Sequence, residues 1–123
     1  MAGTIVSDTI QNGAGANTTT TNVINGCAKA WVNYNSVSQV INASFNVSSV
    51  TYHSTGNFTV NFTTAMPNAN YCVTTCTVLT GSSGAVLVVD ATAAAPTTSA
   101  VRMAMGDSAG LKNQTRNYVA IFS

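Results

Sequence analysis

The sequence predicts an all-β fold, an antiparallel β-sandwich of jelly-roll-like character with an extended N-terminal arm, and three observations carry that prediction. Apolar residues recur with period two over most of the chain, β-branched runs follow one another at intervals of about ten residues, and Gly, Asn and Ser fill the gaps. The clearest strand is Asn57 to Thr64, where Phe58, Val60 and Phe62 alternate with Asn57, Thr59, Asn61 and Thr63. Successive side chains of a strand point to opposite faces, so this segment buries one face and solvates the other.

The first 25 residues read as an arm and linker, suited to attachment or to exchange between subunits. Ile5, Val6 and Ile10 precede Gln11-Asn12-Gly13-Ala14-Gly15-Ala16-Asn17 and four threonines. Thr4 to Ile10 has the character of an extended strand that pairs with its own domain, a neighbouring subunit or a host protein, because unpaired strand edges are docking surfaces. No helical periodicity persists anywhere long enough to define a helix.

Residues 26–123 form the sandwich domain. Cys27 to Tyr34 and Val37 to Val47 make one strand pair. Ser49 to His53 and Asn57 to Thr64 make a hairpin across Ser54-Thr55-Gly56-Asn57, which is turn chemistry, and Ala65 to Asn70 breaks the ladder. Tyr71 to Thr80 and Ala85 to Asp90 read as a second hairpin closed by Gly81-Ser82-Ser83-Gly84. Ser99 to Met105 and Arg116 to Phe122 complete the set, separated by Gly106-Asp107-Ser108-Ala109-Gly110.

A chain of 123 residues suits one domain and can bury roughly two-thirds of its unfolded surface. Its longest apolar runs, Gly84 to Val89 and Ala91 to Ala95, are far shorter than the roughly 18 to 20 residues of a membrane span, so no membrane insertion is expected. The N-terminus shows no basic stretch followed by an apolar core, and the expectation is a chain made and folded inside a cell.

Charge is scarce. Only 6% of residues are charged, against roughly 25% in an average soluble domain, and Glu is absent. The acids are Asp8, Asp90 and Asp107, the bases Lys29, Arg102, Lys112 and Arg116, and the net charge is +1. Scattered bases without a cluster argue against nucleic acid as a partner. Little charge repulsion separates copies of the chain, which favours self-association.

The same scarcity argues against an enzyme. A Ser/His/Asp hydrolase would have to use His53, and no serine stands in a Gly-Xaa-Ser-Xaa-Gly elbow. Three distant Asp and no Glu make a poor glycosidase pair. The glycines at Gly13, Gly15, Gly81 and Gly84 lack the following Lys and helix start of a phosphate cradle. Cys27, Cys72 and Cys76 are odd in number, and four strand residues hold Cys72 and Cys76 about 13 Å apart, beyond disulfide reach. They are expected to be small buried thiols, with no metal and no cofactor. The six Asn-Xaa-Ser/Thr sequons, at Asn17, Asn42, Asn46, Asn57, Asn61 and Asn113, are what chance supplies in so Asn- and Thr-rich a chain.

Aromatic residues offer the one binding chemistry in view. Trp31, Tyr34, Tyr52, Tyr71 and Tyr118 can stack on sugar rings while amides and hydroxyls bond the sugar oxygens, although a small sandwich needs most such rings for its core. Binding groups concentrate on loops held by a rigid scaffold, which selects Tyr34, Tyr52 and His53, read as loop-borne, as the candidate ligand-binding residues.

The run Gly26-Cys27-Ala28-Lys29-Ala30-Trp31-Val32-Asn33-Tyr34, with Ala43-Ser44-Phe45-Asn46-Val47-Ser48-Ser49-Val50 and the stretch from Thr55 to Pro67, resembles a segment of tailed-phage (cyanophage-like) tail fibre and virion appendage proteins. The opening Gly3 to Ile10 is similar to starts of the same group. The resemblance covers about half of the chain. It implies a bacteriophage virion structural protein, commonly a homotrimer, assembled in the host cytoplasm into a small fibre or tail appendage. Its partners would be itself, other virion proteins through residues 1–25, and a host-surface glycan in host attachment. The chain is short for a complete fibre and lacks a shaft, which leaves a capsid decoration or cement protein open, and a free carbohydrate-binding module as a further alternative. The family supplies no catalytic residues.

Overall fold

The computed structural model describes residue 3, residues 6–78 and residues 84–123. The segment expected to be an arm and linker is locally folded. Strand β1 (Thr9–Gln11) pairs antiparallel with β2 (Asn17–Thr19), and the Asn12 side chain closes their turn by accepting from the Ala14 and Ala16 amides, each at 3.0 Å. A short helix, α1 (Thr20–Gly26), follows at once, where no helix was expected. Its one sequence signal is an N-cap: the Thr19 hydroxyl accepts from the Asn22 amide at 3.2 Å. A single turn or two has no room to show periodicity, and none of its residues is buried. Thr4 and Ile5, the start of the expected docking strand, lie outside the described residues.

The domain is an all-β sandwich. Sheet I runs β4 (Val40–Phe45), β3 (Ala30–Asn35), β11 (Asn117–Phe122), β7 (Cys72–Thr77), with every pairing antiparallel. Sheet II joins β5 (Val47–Ser54), β6 (Asn57–Phe62) and β9 (Ala100–Asp107), and β9 also carries β8 (Val86–Val89) and the two-residue β10 (Gly110–Leu111). Between the sheets lies one core. Ala30, Val32 and Tyr34 of β3 with Val119 and Ile121 of β11 meet Phe58, Val60 and Phe62 of β6 and Val101, Met103 and Met105 of β9. The Tyr34 and Phe58 rings pack at 5.0 Å between centroids, tilted by 51°.

Two strand assignments change. The long run Val37 to Val47 is not one strand, because it turns a corner at Asn46, whose φ of 53° is left-handed. Asn tolerates that region better than other non-glycine residues, and its side chain holds the corner: Nδ2 donates to the Lys29 and Thr64 carbonyls at 3.0 and 3.1 Å, and Oδ1 accepts from the Thr64 amide at 2.7 Å. The chain thereby passes from sheet I to sheet II. The expected hairpin of Tyr71 to Thr80 with Ala85 to Asp90 is also not formed. Strand β7 pairs with β11 and β8 with β9, so the two belong to opposite sheets. The Thr75 hydroxyl, donating to the Leu87 carbonyl at 2.6 Å, is a link across that seam. The proposed closing residues 81–83 lie outside the described residues.

The expected β5–β6 hairpin is present, and its turn needs Gly56. Its φ is +72°, and a Cβ there would come within 2.3 Å of the Met105 carbonyl oxygen. At one end of the sandwich a buried polar cluster ties the β3–β4 turn to the approach to β11. Asn117 Nδ2 donates to the Tyr34 carbonyl at 3.1 Å, the Ser36 hydroxyl at 3.2 Å and the Gln114 carbonyl at 3.2 Å. Buried polar groups must find partners, and these do so across nearly the whole length of the chain.

Candidate functional site

The two sheets share a core but present different chemistry to solvent, sheet I an uncharged aromatic face and sheet II hydroxyls and amides on β5 and β6 with the exposed Val86 and Val88 beyond β9. None of the four strands of sheet I contains a Lys, Arg, Asp, Glu or His. Register sets the order of its outer face. Trp31 lies opposite Phe45 on one side and Ala120 on the other, with Thr74 beyond; Tyr118 lies between Asn33 and Cys76. Trp31 is 40% exposed and Phe45 55%. A shallow groove of about 270 Å³ runs along this face, lined by Trp31, Tyr118, Ala120, Thr74 and Cys76. Two aromatic rings flank small residues there, which is the outline of a stacking or packing surface rather than of a reaction centre.

On the outer face of sheet II stand hydroxyls and amides. Asn61 Nδ2 donates to the Ser49 hydroxyl at 3.0 Å and the Thr51 hydroxyl at 2.9 Å, and His53 Nε2 lies 2.9 Å from the Thr59 hydroxyl. Arg102 projects from the same face, opposite Thr59. Its guanidinium, together with burial, holds His53 below the ordinary imidazole value, burial being the larger cause.

A cleft of about 480 Å³ lies where α1 meets the sandwich, with Ile24, Lys29, Asn46, Met66, Pro67 and Ser123 among its walls. Its one cation, Lys29, already donates to the Ile24 carbonyl, and the Asn46 amide is engaged in holding its corner.

The three candidate ligand residues do not converge, and none of them sits on a loop. Tyr34 is 1% exposed in the middle of β3, so it is a core residue and cannot meet a ligand. Its position was already implied by alternation with Ala30 and Val32. Burial, then the nearby Tyr52, raises its hydroxyl above the usual tyrosine value. Tyr52 is half-buried on β5, where its hydroxyl accepts from Asn113 Nδ2 at 3.2 Å. His53 follows it at an irregularity in the β5–β6 register and sits on the solvent face with Thr59. Tyr71 is likewise committed: its hydroxyl donates to the Thr97 and Ala100 carbonyls, each at 3.0 Å, and burial raises its pKa. Trp31 and Tyr118 are the aromatics that share an outer face.

The cysteines also differ from expectation, since all three are free and exposed rather than buried. Cys72 and Cys76 fall on the outward register of the edge strand β7, while Val73 turns toward the core. Phe45 and Arg102 were not singled out from sequence. For Phe45 the missing signal was the corner at Asn46, without which its face cannot be assigned. Among the described residues no group of three or more His, Cys, Asp or Glu is placed to hold a metal ion, and no helix is long and apolar enough to cross a membrane. Comparison with family models, with curated proteins and with solved structures finds no match to this chain.

Proposed function

We propose that this chain is a virion structural protein, a small trimeric fibre or tail appendage that contacts the host surface, and that copies assemble through the outer face of sheet I. The observation that carries the reading is the uncharged face bearing Trp31 and Phe45. Exposed apolar patches of this kind mark association surfaces, and a face without charge has no like-charge repulsion against its own copy. The resemblance from Lys29 to Pro67 supports the virion assignment and the trimer. A trimer requires the uncharged face to meet a different patch on the next copy, with a rotation of one third of a turn between copies so that the ring closes.

Light scattering of the full chain tests it. The expected mass is about three times the 12.6 kDa of one chain. The double substitution Trp31→Ser/Phe45→Ser is expected to reduce that mass to one chain with unchanged far-ultraviolet circular dichroism. A parent that stays monomeric at high concentration overturns the assembly. Electron microscopy of particles carrying a tagged copy tests the location, and label on the head would turn the reading to a decoration protein. The groove between Trp31 and Tyr118 favours one other reading, a carbohydrate-binding module that stacks a sugar on Trp31. That reading requires a monomer whose sugar affinity falls in Trp31→Ala.

A further inference from the structure

On the outer face of sheet II stands a guanidinium that no hydrogen bond or ion pair engages among the described residues. Arg102 lies at the centre of β9, between the core residues Val101 and Met103 and opposite Thr59. No hydrogen bond or ion pair engages its side chain among the described residues, and its Nε is fully covered without a partner. The acid beside it, Asp90, meets it only through the backbone, its amide donating to the Arg102 carbonyl at 2.9 Å. The Asp90 carboxylate instead accepts from the Ala93 amide at 3.0 Å. Nε is covered while the residue as a whole is half-buried, and the terminal nitrogens are not among the covered atoms that lack a partner. A covered and unpartnered Nε contributes nothing favourable to the isolated fold, where a β-branched residue would pack at lower cost.

The surroundings define what would engage it. Thr59 lies directly across the ladder, Thr51 beyond it, and Asn61 holds Thr51 and Ser49 in fixed orientation. His53, on Thr59, adds a ring whose charged form is disfavoured by burial and by the nearby Arg102. The result is one planar cation beside a row of neutral donors and acceptors, with the neighbouring Asp90 carboxylate engaged by the Ala93 amide. A guanidinium matches a planar two-oxygen anion through two parallel hydrogen bonds, and hydroxyls and amides match the hydroxyls of a sugar. A single cation balances a single negative charge, which disfavours nucleic acid and clustered phosphates.

We propose that Arg102 anchors a site for a carboxylate-bearing sugar, a uronate unit of an acidic polysaccharide, with Thr51, Thr59, Asn61 and His53 facing its hydroxyls. The proposal deepens the host-contacting part of the function proposed above. It is separable from the assembly, because it concerns the opposite face and is read by ligand titration rather than by mass.

The test is an amide NMR titration of the full chain with oligogalacturonate, the same oligomer as its methyl ester, and a glycerol-phosphate oligomer. The acid is expected to give saturable shifts centred on Arg102, Thr59 and Asn61, and the ester to bind at least tenfold more weakly. Arg102→Ala is expected to weaken acid binding tenfold or more, with its fold verified by circular dichroism. Arg102→Lys, which keeps the charge and removes the fork, is expected to fall between, and serves alone if the alanine variant does not fold. Equal binding of acid and ester, binding of the glycerol-phosphate oligomer as strong as that of the uronate, no binding at all, or an Arg102 variant with unchanged affinity would each overturn the proposal.

Discussion

The outer faces of the two sheets are built on the same alternation and come out different, although the β8 end of sheet II also exposes Val86 and Val88. Sheet I shows solvent Trp31, Phe45, Tyr118 and Ala120 without a charge in any strand, and its side chains make few bonds to one another. Sheet II shows a hydrogen-bonded row of Ser49, Thr51, Thr59 and Asn61, with Arg102 standing unpartnered beside it. The members of that row already bond one another, so what they offer a ligand is their remaining donor and acceptor capacity beside the Arg102 guanidinium. An apolar face with exposed rings offers burial instead, since covering it would remove apolar area from water at roughly 25 cal/mol per Å². The difference assigns separate work to the two faces in the proposed function: sheet I to meet copies of the chain, sheet II to meet a polar ligand.

That contrast can be broken by substitution, and the core shared by both sheets sets the scale. Phe58→Ala empties a fully buried site against Tyr34 and is expected to cost about 3–5 kcal/mol in denaturant unfolding. On the polar face, Asn61→Ala removes the amide that joins two hydroxyls and is expected to cost about 1 kcal/mol. Phe45→Ala, measured at a concentration where the chain is monomeric, is expected to change stability by no more than about 0.5 kcal/mol. If Phe45→Ala costs the monomer as much as Asn61→Ala, the aromatic face belongs to the monomer's own fold and the contrast fails.

The smallest effect is a titration. The folded chain disfavours the charged imidazole of His53, so its midpoint by NMR is expected below the ordinary 6.5. In Arg102→Ala the midpoint is expected to rise without reaching 6.5, because burial, the larger cause, remains. The sign for stability follows from linkage: the unfolded chain binds the proton more readily, so folding loses stability as pH falls through 6.5. A midpoint unmoved by Arg102→Ala would place the guanidinium away from His53 and weaken the description of the polar face.

The sequence was legible wherever a side chain's environment depended on its immediate neighbours. Alternation through Phe58, Val60 and Phe62 identified β6 and its buried face, and Ser54 to Asn57 identified the hairpin turn. The same alternation implied that Tyr34 is buried with Ala30 and Val32, and a loop placement for it ran against that pattern. What stayed hidden depended on distant partners. The Asn46 corner is held by Thr64 and Lys29, and β7 finds β11 some forty residues away. The cysteines appear small and apolar in sequence, and the placement of β7 with Val73 toward the core turns Cys72 and Cys76 outward.

By itself, the sequence determined an all-β chain, the local hairpin of β5 with β6, and a surface of hydroxyls and amides with very few charges, because periodicity and composition are properties of neighbouring residues. Only the tertiary structure decided that β7 and β8 join opposite sheets, that Trp31 and Phe45 share an outer face, and that Arg102 Nε is covered with no partner among the described residues. Each of these depends on which strands pair across the chain, and strand pairing is set by the burial of the whole core rather than by any one segment.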